Sequence, residues 1–582
     1  MKLRSARFRT MLRKILGCVF LATIFVSCVP VRAERESDWA SETLRELSLR
    51  DKIAQMIHVR MPGEFIDRQS QEFGKVEALI RENNIGGLVL FSGTAHESPV
   101  LINDFQEISK LPLLVSSDFE RGAAFRIEDT TSFPWTMALG AANDEELAHL
   151  QGLITARESR AVGVHWIFAP VVDVNNNPDN PVINIRAFGS DPATVSRLGA
   201  AFIRGARTGG VLTTAKHFPG HGDTSIDSHI GVPILEVGMD RLDRVEFVPF
   251  RGAIEAGVDA VMTAHVAVPQ LTKGSKTPAT LSHEILTGVL INSLGFRGIV
   301  VTDAMEMAGI TKLYGDGPAA VAAVKAGADV VLLPPDAVEA INAIEQAIKG
   351  GEISEKRIDE SVKKILDAKQ QLGLDRKRTT SAERIADVVS IPESIELASE
   401  IAARAVTVIK DEKRLLPLVQ TDERYVFGLV LTPSTNSASG MAFLNAFSQQ
   451  YPGAQTELAD SLVTKNRITA IEKAISSADL IVVATLTRLT TGRVVGIPDS
   501  HRSIVQKLES SKKNVIWVCL GSPYLLEIAP KIGTILCTFS YSENSQEAVV
   551  KALAGKYRIT GKMPVSVPGV AKIGDGLVIQ PL

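Results

Sequence analysis

Four cysteines in 582 residues are too few to frame a chain of this length with disulfides. None of them falls in a Cys-x-x-Cys or mixed His/Cys pattern of the kind that binds zinc, so neither a metal nor any other cofactor is implied. A basic excess is missing as well. The 63 Lys and Arg stand against 66 Asp and Glu, a formal charge of −3, which leaves no surplus to meet a phosphate backbone and argues against nucleic acid as the main partner. There is no low-complexity stretch and no short internal repeat. The apolar run Ile15 to Ser27 is shorter than the ~20 residues that span a bilayer comfortably.

That run nevertheless has a use. It follows a basic start (Lys2, Arg4, Arg7, Arg9, Arg13, Lys14), the pattern of an export signal, so residues 1–33 are set apart from the fold. Two endings are open. Phe25-Val26-Ser27-Cys28 resembles a bacterial lipobox, which would attach the chain to a membrane through a lipidated Cys28. Val31-Arg32-Ala33 resembles an ordinary signal-peptidase site. Either way the chain leaves the cytoplasm, as a periplasmic protein or an anchored lipoprotein.

The remainder, 45% hydrophobic and 22% charged overall, is long enough for two large cores. From 35 to 374, short apolar runs alternate with helical patterns, the rhythm of βα units. The runs that read as strands are Ile53 to Val59, Gly87 to Phe91, Leu113 to Ser117, Trp166 to Val172, Val211 to Thr214, Ala260 to Ala264, Ile299 to Thr302 and Val330 to Leu333. Eight such repeats predict a TIM-type (β/α)8 barrel. Helices are expected over Asp144 to Val162, Asp240 to Ala256, Ser282 to Leu294 and Glu355 to Leu372, with Ser282 as an N-cap and Gly295 as a stop. Residues 375–399 read as a linker. From 400 to 582 a second βα series predicts a smaller α/β sandwich, its strands at Val406 to Ile409, Val426 to Leu431, Leu480 to Ala484, Val515 to Leu520 and Thr534 to Phe539.

The chemistry concentrates after the fifth of the barrel runs, where Lys216-His217-Phe218-Pro219-Gly220-His221-Gly222-Asp223 leads to Asp227-Ser228-His229. Pro219, Gly220 and Gly222 cannot continue regular structure, so the segment reads as a loop hung from a strand end, where barrels place their reactive groups. Asp303 stands directly after the seventh run. A carboxylate there could be a rigidly held nucleophile or simply the N-cap of the next helix. Asp118 and Asp173 end two other runs, and Asp173 could equally be a structural carboxylate.

The string Lys-His-Phe-Pro-Gly-His-Gly followed by Asp-Ser-His resembles the signature of the β-N-acetylglucosaminidase branch of glycoside hydrolase family 3. The resemblance implies a catalytic dyad of Asp227 and His229, with sugar contacts from Lys216 and His217. Val-Thr-Asp-Ala-Met-Glu-Met is similar to the family's nucleophile segment and favours Asp303 as the attacking carboxylate, with Glu306 nearby in a supporting place. Asp118-Phe119-Glu120-Arg121-Gly122 resembles the family's Asp-x-Glu-Gly-Gly-Arg segment, although Arg121 replaces a Gly and Ala123 replaces the Arg. Asp118, Glu120, Gly122 and Arg126 carry over, and Asp118 is the one relied on as a sugar ligand. Arg186 and His265 also fit family positions for substrate contact. His221 and Asp223 are expected to brace the loop. The polar stretch with Arg488, Arg493, Asp499, Ser500 and His501 reads as solvated surface, and Cys519 and Cys537 as core.

The resemblance implies a retaining exo-enzyme that removes N-acetylglucosamine from cell-wall fragments or chitooligosaccharides. Asp303 would attack, and His229 would act as acid and then base, its ordinary pKa suiting both roles. Two alternatives stay open: a phosphorylase, in which orthophosphate replaces water, and a non-catalytic cell-wall-binding lipoprotein on a hydrolase fold.

Overall fold

A computed structural model describes residues 38–228, 230–419, 425–436, 438–489 and 496–582. The export signal with Cys28, His229 and Arg493 lie outside the described residues. The chain divides into a short unit, Met1–Trp39, and a large one, Ala40–Leu582, which holds both folds.

The first fold is built on eight parallel strands: β1 (Ile57–Met61), β2 (Gly87–Leu90), β3 (Leu114–Ser117), β4 (Trp166–Ile167), β5 (Thr214–Phe218), β6 (Ala260–Thr263), β7 (Ile299–Val301) and β8 (Val331–Leu332). They pair as two arcs, β8-β1-β2-β3-β4 and β5-β6-β7. Parallel bridges Trp166–Leu212 and Val301–Val330 join the arcs into a ring. These strands are short and almost wholly buried, as expected when side chains fill the inside and helices cover the outside.

The surrounding helices start where the sequence offers caps. The Asp144 carboxylate accepts from the N–H groups of Glu146 and Leu147 ahead of Glu145–Ala161. Asp191 does the same for Thr194 ahead of Pro192–Thr208, whose proline occupies a position where no N–H is needed. Ser354 caps Glu355–Gln371, which buries Ile358, Val362, Ile365 and Leu366 along one stripe.

Several expectations shift in detail. Ile53 to Gln55 belong to the helix Leu49–Gln55, so the first strand begins only at Ile57. Gln55 and His58, which interrupt the apolar run, mark that join. Trp166 to Val172 is regular strand for two residues only, Trp166–Ile167, and continues beside β5 through an isolated bridge between Val171 and Lys216. Of Val211 to Thr214 only Thr214 belongs to β5, and the first three residues are its approach. Asp240 to Ala256 is two helices, Met239–Arg244 and Phe247–Glu255. Ser282 to Leu294 contains a π-helix, Glu284–Ser293; Ser282 Oγ accepts the Ile285 N–H at 3.4 Å in its first turn, the cap expected of it, and Gly295 ends the helix at φ 72°. The linker expected over 375–399 is interrupted by the helix Pro392–Ala405. Its Leu397, Ala398 and Ile401 join the barrel's outer core, while Ala402 joins that of the second fold.

The second fold is a six-stranded sheet: β9 (Thr407–Asp411), β10 (Val426–Leu431), β11 (Gln455–Ala459), β12 (Leu480–Leu486), β13 (Asn514–Leu520) and β14 (Thr534–Cys537), in the order β9-β14-β13-β12-β10-β11. All pairs are parallel except β9 with β14. Both faces are buried. One packs against its own helices through Val430, Val482 and Val518; the other, through Leu429, Val483 and Trp517, meets Trp135, Met137 and Ala138 of the barrel. The union is also polar: Ser190 N–H donates to Pro564 O at 3.0 Å, and Lys562 N–H to Ala141 O at 3.1 Å. A side chain at Gly189 would come within 2.5 Å of Pro564 O, so glycine is what lets the two backbones meet.

Candidate active site

The motif that reads as a loop begins inside β5. Lys216 pairs with Met262 and Phe218 with Thr263, so His217 is an extra residue in the ladder. A bulge of this kind re-aims side chains. Lys216 and His217 both line the cavity at the C-terminal ends of the strands. Phe218 packs outward between Phe247 and Phe250, at ring distances of 5.6 and 5.1 Å.

Lys216 is only 2% exposed and reaches across the barrel to β3's end, 2.7 Å from Asp118 Oδ1 and 2.8 Å from Glu120 Oε1. Arg186 closes a two-pronged bond on Glu120 (Nε–Oε2 2.9 Å, Nη2–Oε1 2.7 Å). Arg126 donates to Asp118 Oδ2 at 2.9 Å. Burial alone would neutralise these groups, but each is met by opposite charge. Lys216 and Arg126 hold Asp118 below the usual carboxylate range, and Arg186 and Lys216 hold Glu120 well below it. The two carboxylates in turn raise Lys216. Two anions and three cations thus form one rigid, charged floor, rich in donors and acceptors for hydroxyl groups.

Asp173 takes the structural role left open for it. Its Oδ2 lies 2.7 Å from His217 Nδ1, and its Oδ1 accepts the His221 N–H at 2.7 Å. His221 braces the loop as expected, with Nδ1 2.8 Å from Thr224 Oγ1 and Nε2 3.0 Å from Ser228 Oγ. Burial, and then the neighbouring His217, push its pKa down to about 4, so His221 is neutral near pH 7 and unsuited to be the acid. Asp223 faces Arg241 at 3.2 Å. Asp227 and Ser228 reach the cavity wall.

Asp303, two residues past the end of β7, lines the same cavity. Its Oδ1 accepts the Ala304 N–H at 2.8 Å, and its own N–H points to Thr263 Oγ1 at 3.4 Å. His265 is fully buried and does not line the cavity, contrary to the expectation of a sugar contact. Its ring spans Thr280 Oγ1 (2.8 Å) and Ala304 O (2.9 Å), which fixes the backbone next to Asp303 from behind. Glu306 pairs with Arg60 at the rim.

The cavity, of about 870 Å³, therefore gathers Asp118, Arg186, Lys216, His217, Asp227 and Asp303 from four separate stretches. It also holds residues that the sequence does not single out as sugar ligands. Glu120 is the hub of the charged floor. Arg121 stacks 5.2 Å over Trp135, and the second fold contributes a wall with Ser434, Arg488 and Tyr541. Arg488, which in sequence resembles solvated surface, lies two residues past β12, and the strand ends of the second sheet face the barrel mouth.

A closed parallel barrel with this mouth, docked rigidly to an α/β sheet, defines a class of two-domain carbohydrate-active enzymes. The chain belongs to glycosyl hydrolase family 3: residues 48–368 match the family's N-terminal domain and 406–575 its C-terminal domain. It is 28% identical over 547 residues to the β-N-acetylglucosaminidase/β-glucosidase of Cellulomonas fimi, covering 90% of this chain and 95% of that one. Among solved structures it resembles a family 3 β-N-acetylglucosaminidase from Paenibacillus sp. (31% identity, TM-score 0.80, 90% of this chain and 100% of that one). It also resembles the β-glucoside phosphorylase BglX (25% identity, TM-score 0.82, 91% and 96%).

Proposed function

We propose that this protein is a retaining exo-β-N-acetylglucosaminidase that releases terminal N-acetylglucosamine from cell-wall fragments or chitooligosaccharides. The observation that carries the reading is the convergence of Asp303, a carboxylate fixed at a strand end, with Asp227 and the Asp118–Glu120–Lys216–Arg186 floor in one cavity. The floor and His217 hold the sugar's hydroxyl and acetamido groups. The Asp303 carboxylate attacks the anomeric carbon as the glycosidic bond breaks, giving a covalent glycosyl-enzyme. His229 gives its proton to the departing oxygen, then takes one from the water that releases the sugar with net retention. Asp227, two residues earlier, orients the imidazole and steadies its cationic form.

Export is part of the proposal, with lipidation of Cys28 as the form of attachment. Mass analysis finding an unmodified mature N-terminus at Glu34 would replace the anchor by simple secretion.

The decisive assay compares an aryl N-acetylglucosaminide with an aryl glucoside as substrate of the purified mature chain. Preference for the glucoside would overturn the reading. A second reading, phosphorolysis, is favoured by the likeness to BglX. A neutral-to-cationic acid such as His229 does not repel an anionic acceptor. Orthophosphate in the same assay separates the two: sugar 1-phosphate marks a phosphorylase, free sugar a hydrolase.

A further inference from the structure

A second cavity, of about 620 Å³, opens at the other end of the barrel, among the C-terminal ends of helices and the residues leading into β4. Its lining holds Arg157, Arg160, Arg376, Lys377, Arg378 and Arg384 and no carboxylate. In a chain with a formal charge of −3, six cations around one concavity are a strong local imbalance. Among the described residues, one carboxylate comes within ion-pair distance of the six, Asp375, at 3.9 Å from Arg376. Among the described residues, buried Arg160 Nη1 meets no hydrogen-bond partner, while Nη2 donates to Leu372 O at 3.3 Å. That leaves a buried cationic donor available to an acceptor entering the cavity.

The cations are not on a loose segment. Thr380 Oγ1 donates to Ala161 O at 3.1 Å, and its N–H to Asn103 Oδ1 at 2.9 Å. Arg378 donates to Ser109 O at 2.8 Å. The stretch is thereby laced across the end of the barrel. The large unit also begins here: the Ala40 N–H donates to Gln370 Oε1 at 3.1 Å, two residues before Leu372 on the cavity wall.

We propose that this basic cavity binds the phosphate groups of an anionic bilayer, laying the closed end of the barrel on the membrane with the catalytic mouth turned away from it. Arg and Lys near such a surface each contribute about fivefold in partitioning, and the effect falls with salt. The inference is independent of the sugar chemistry.

The test is co-sedimentation of the full chain with vesicles of phosphatidylglycerol and phosphatidylcholine, against phosphatidylcholine alone, over a salt series. It is paired with the variant Arg157→Glu/Arg376→Glu/Lys377→Glu and the milder Arg157→Gln/Lys377→Gln. The wild type is expected to prefer anionic vesicles, the triple variant to lose about a hundredfold of that partitioning or more, and the double variant to fall between. Unchanged kcat/KM on an aryl glycoside certifies the fold of each variant. Equal binding by wild type and variants would overturn the proposal and assign attachment to the N-terminal segment. Equal binding to neutral vesicles would overturn it too. Binding of inorganic phosphate by calorimetry with no vesicle preference would replace the membrane by a small free anion.

Discussion

His217 Nδ1 lies 2.7 Å from Asp173 Oδ2, a buried contact between a strand residue and the segment that follows β4. Burial would raise the Asp173 pKa, but His217 and His221 hold it below the usual range, so the carboxylate is charged and accepts the Nδ1 proton. Nε2 is then left as the acceptor, 3.4 Å from Arg186 Nη2 and turned to the cavity. Asp173→Asn keeps the shape but removes the charge and allows the other tautomer. A loss of about a hundredfold in kcat/KM is expected, the scale of a misplaced binding group. A wild-type kcat/KM in this variant would show that the tautomer of His217 is irrelevant.

Asp303→Ala should abolish turnover and leave the Tm intact, because it removes the attacking atom from a position already held by backbone contacts. A fluorosugar inactivator should label the peptide that contains Asp303. Label on another carboxylate, or near wild-type kcat in the variant, would move the nucleophile elsewhere.

His229→Ala should discriminate between leaving groups. A nitrophenolate departs without a proton and a sugar alkoxide does not, so the defect should be about 10²–10⁴-fold on disaccharides and much smaller for glycosylation by aryl substrates. Azide should rescue the second step, where water lacks its base. A uniform loss without rescue would make His229 a sugar ligand.

Lys369 is buried in the helix Glu355–Gln371, its Nζ 2.6 Å from Gln55 Oε1, and burial brings its pKa down to about 7. A lysine in the unfolded chain titrates near about 10.4, so between the two values the unfolded state holds the extra proton. Stability therefore rises with pH in that window, by up to about 1.4 kcal/mol per unit, and the full penalty of the buried cation applies below it. In Lys369→Met the rise of Tm from about pH 7 to 9 should flatten. A slope equal to that of the wild type would assign the pH dependence to other groups.

The barrel was legible because its strands are unbroken apolar runs of the right length, and the catalytic motif because its residues are adjacent in sequence. What escaped was polar and buried. Lys216 and His217 look like a loop because charged side chains in a strand go unnoticed until Asp118, Glu120 and Asp173 are seen to meet them. The bond between Arg186 and Glu120 joins residues 66 apart, a pairing that no local pattern displays. The edge strand β11 is too polar (Gln455, Thr456, Glu457) and too exposed to show an apolar run. Arg488 was assigned to the surface because its cavity exists only after two folds have docked.

That docking divides the labour of recognition between two stretches of the sequence. The barrel alone furnishes the charged floor and Asp303, whereas Ser434, Arg488 and Tyr541 come from the second sheet. Loops at the ends of β10 and β12 can therefore drift, lengthen or be exchanged without disturbing the groups that perform the bond cleavage. Relatives that share every residue of the floor can differ in what they accept beyond the terminal sugar, and grafting those loops between them is a route to new glycan preferences with the chemistry left in place.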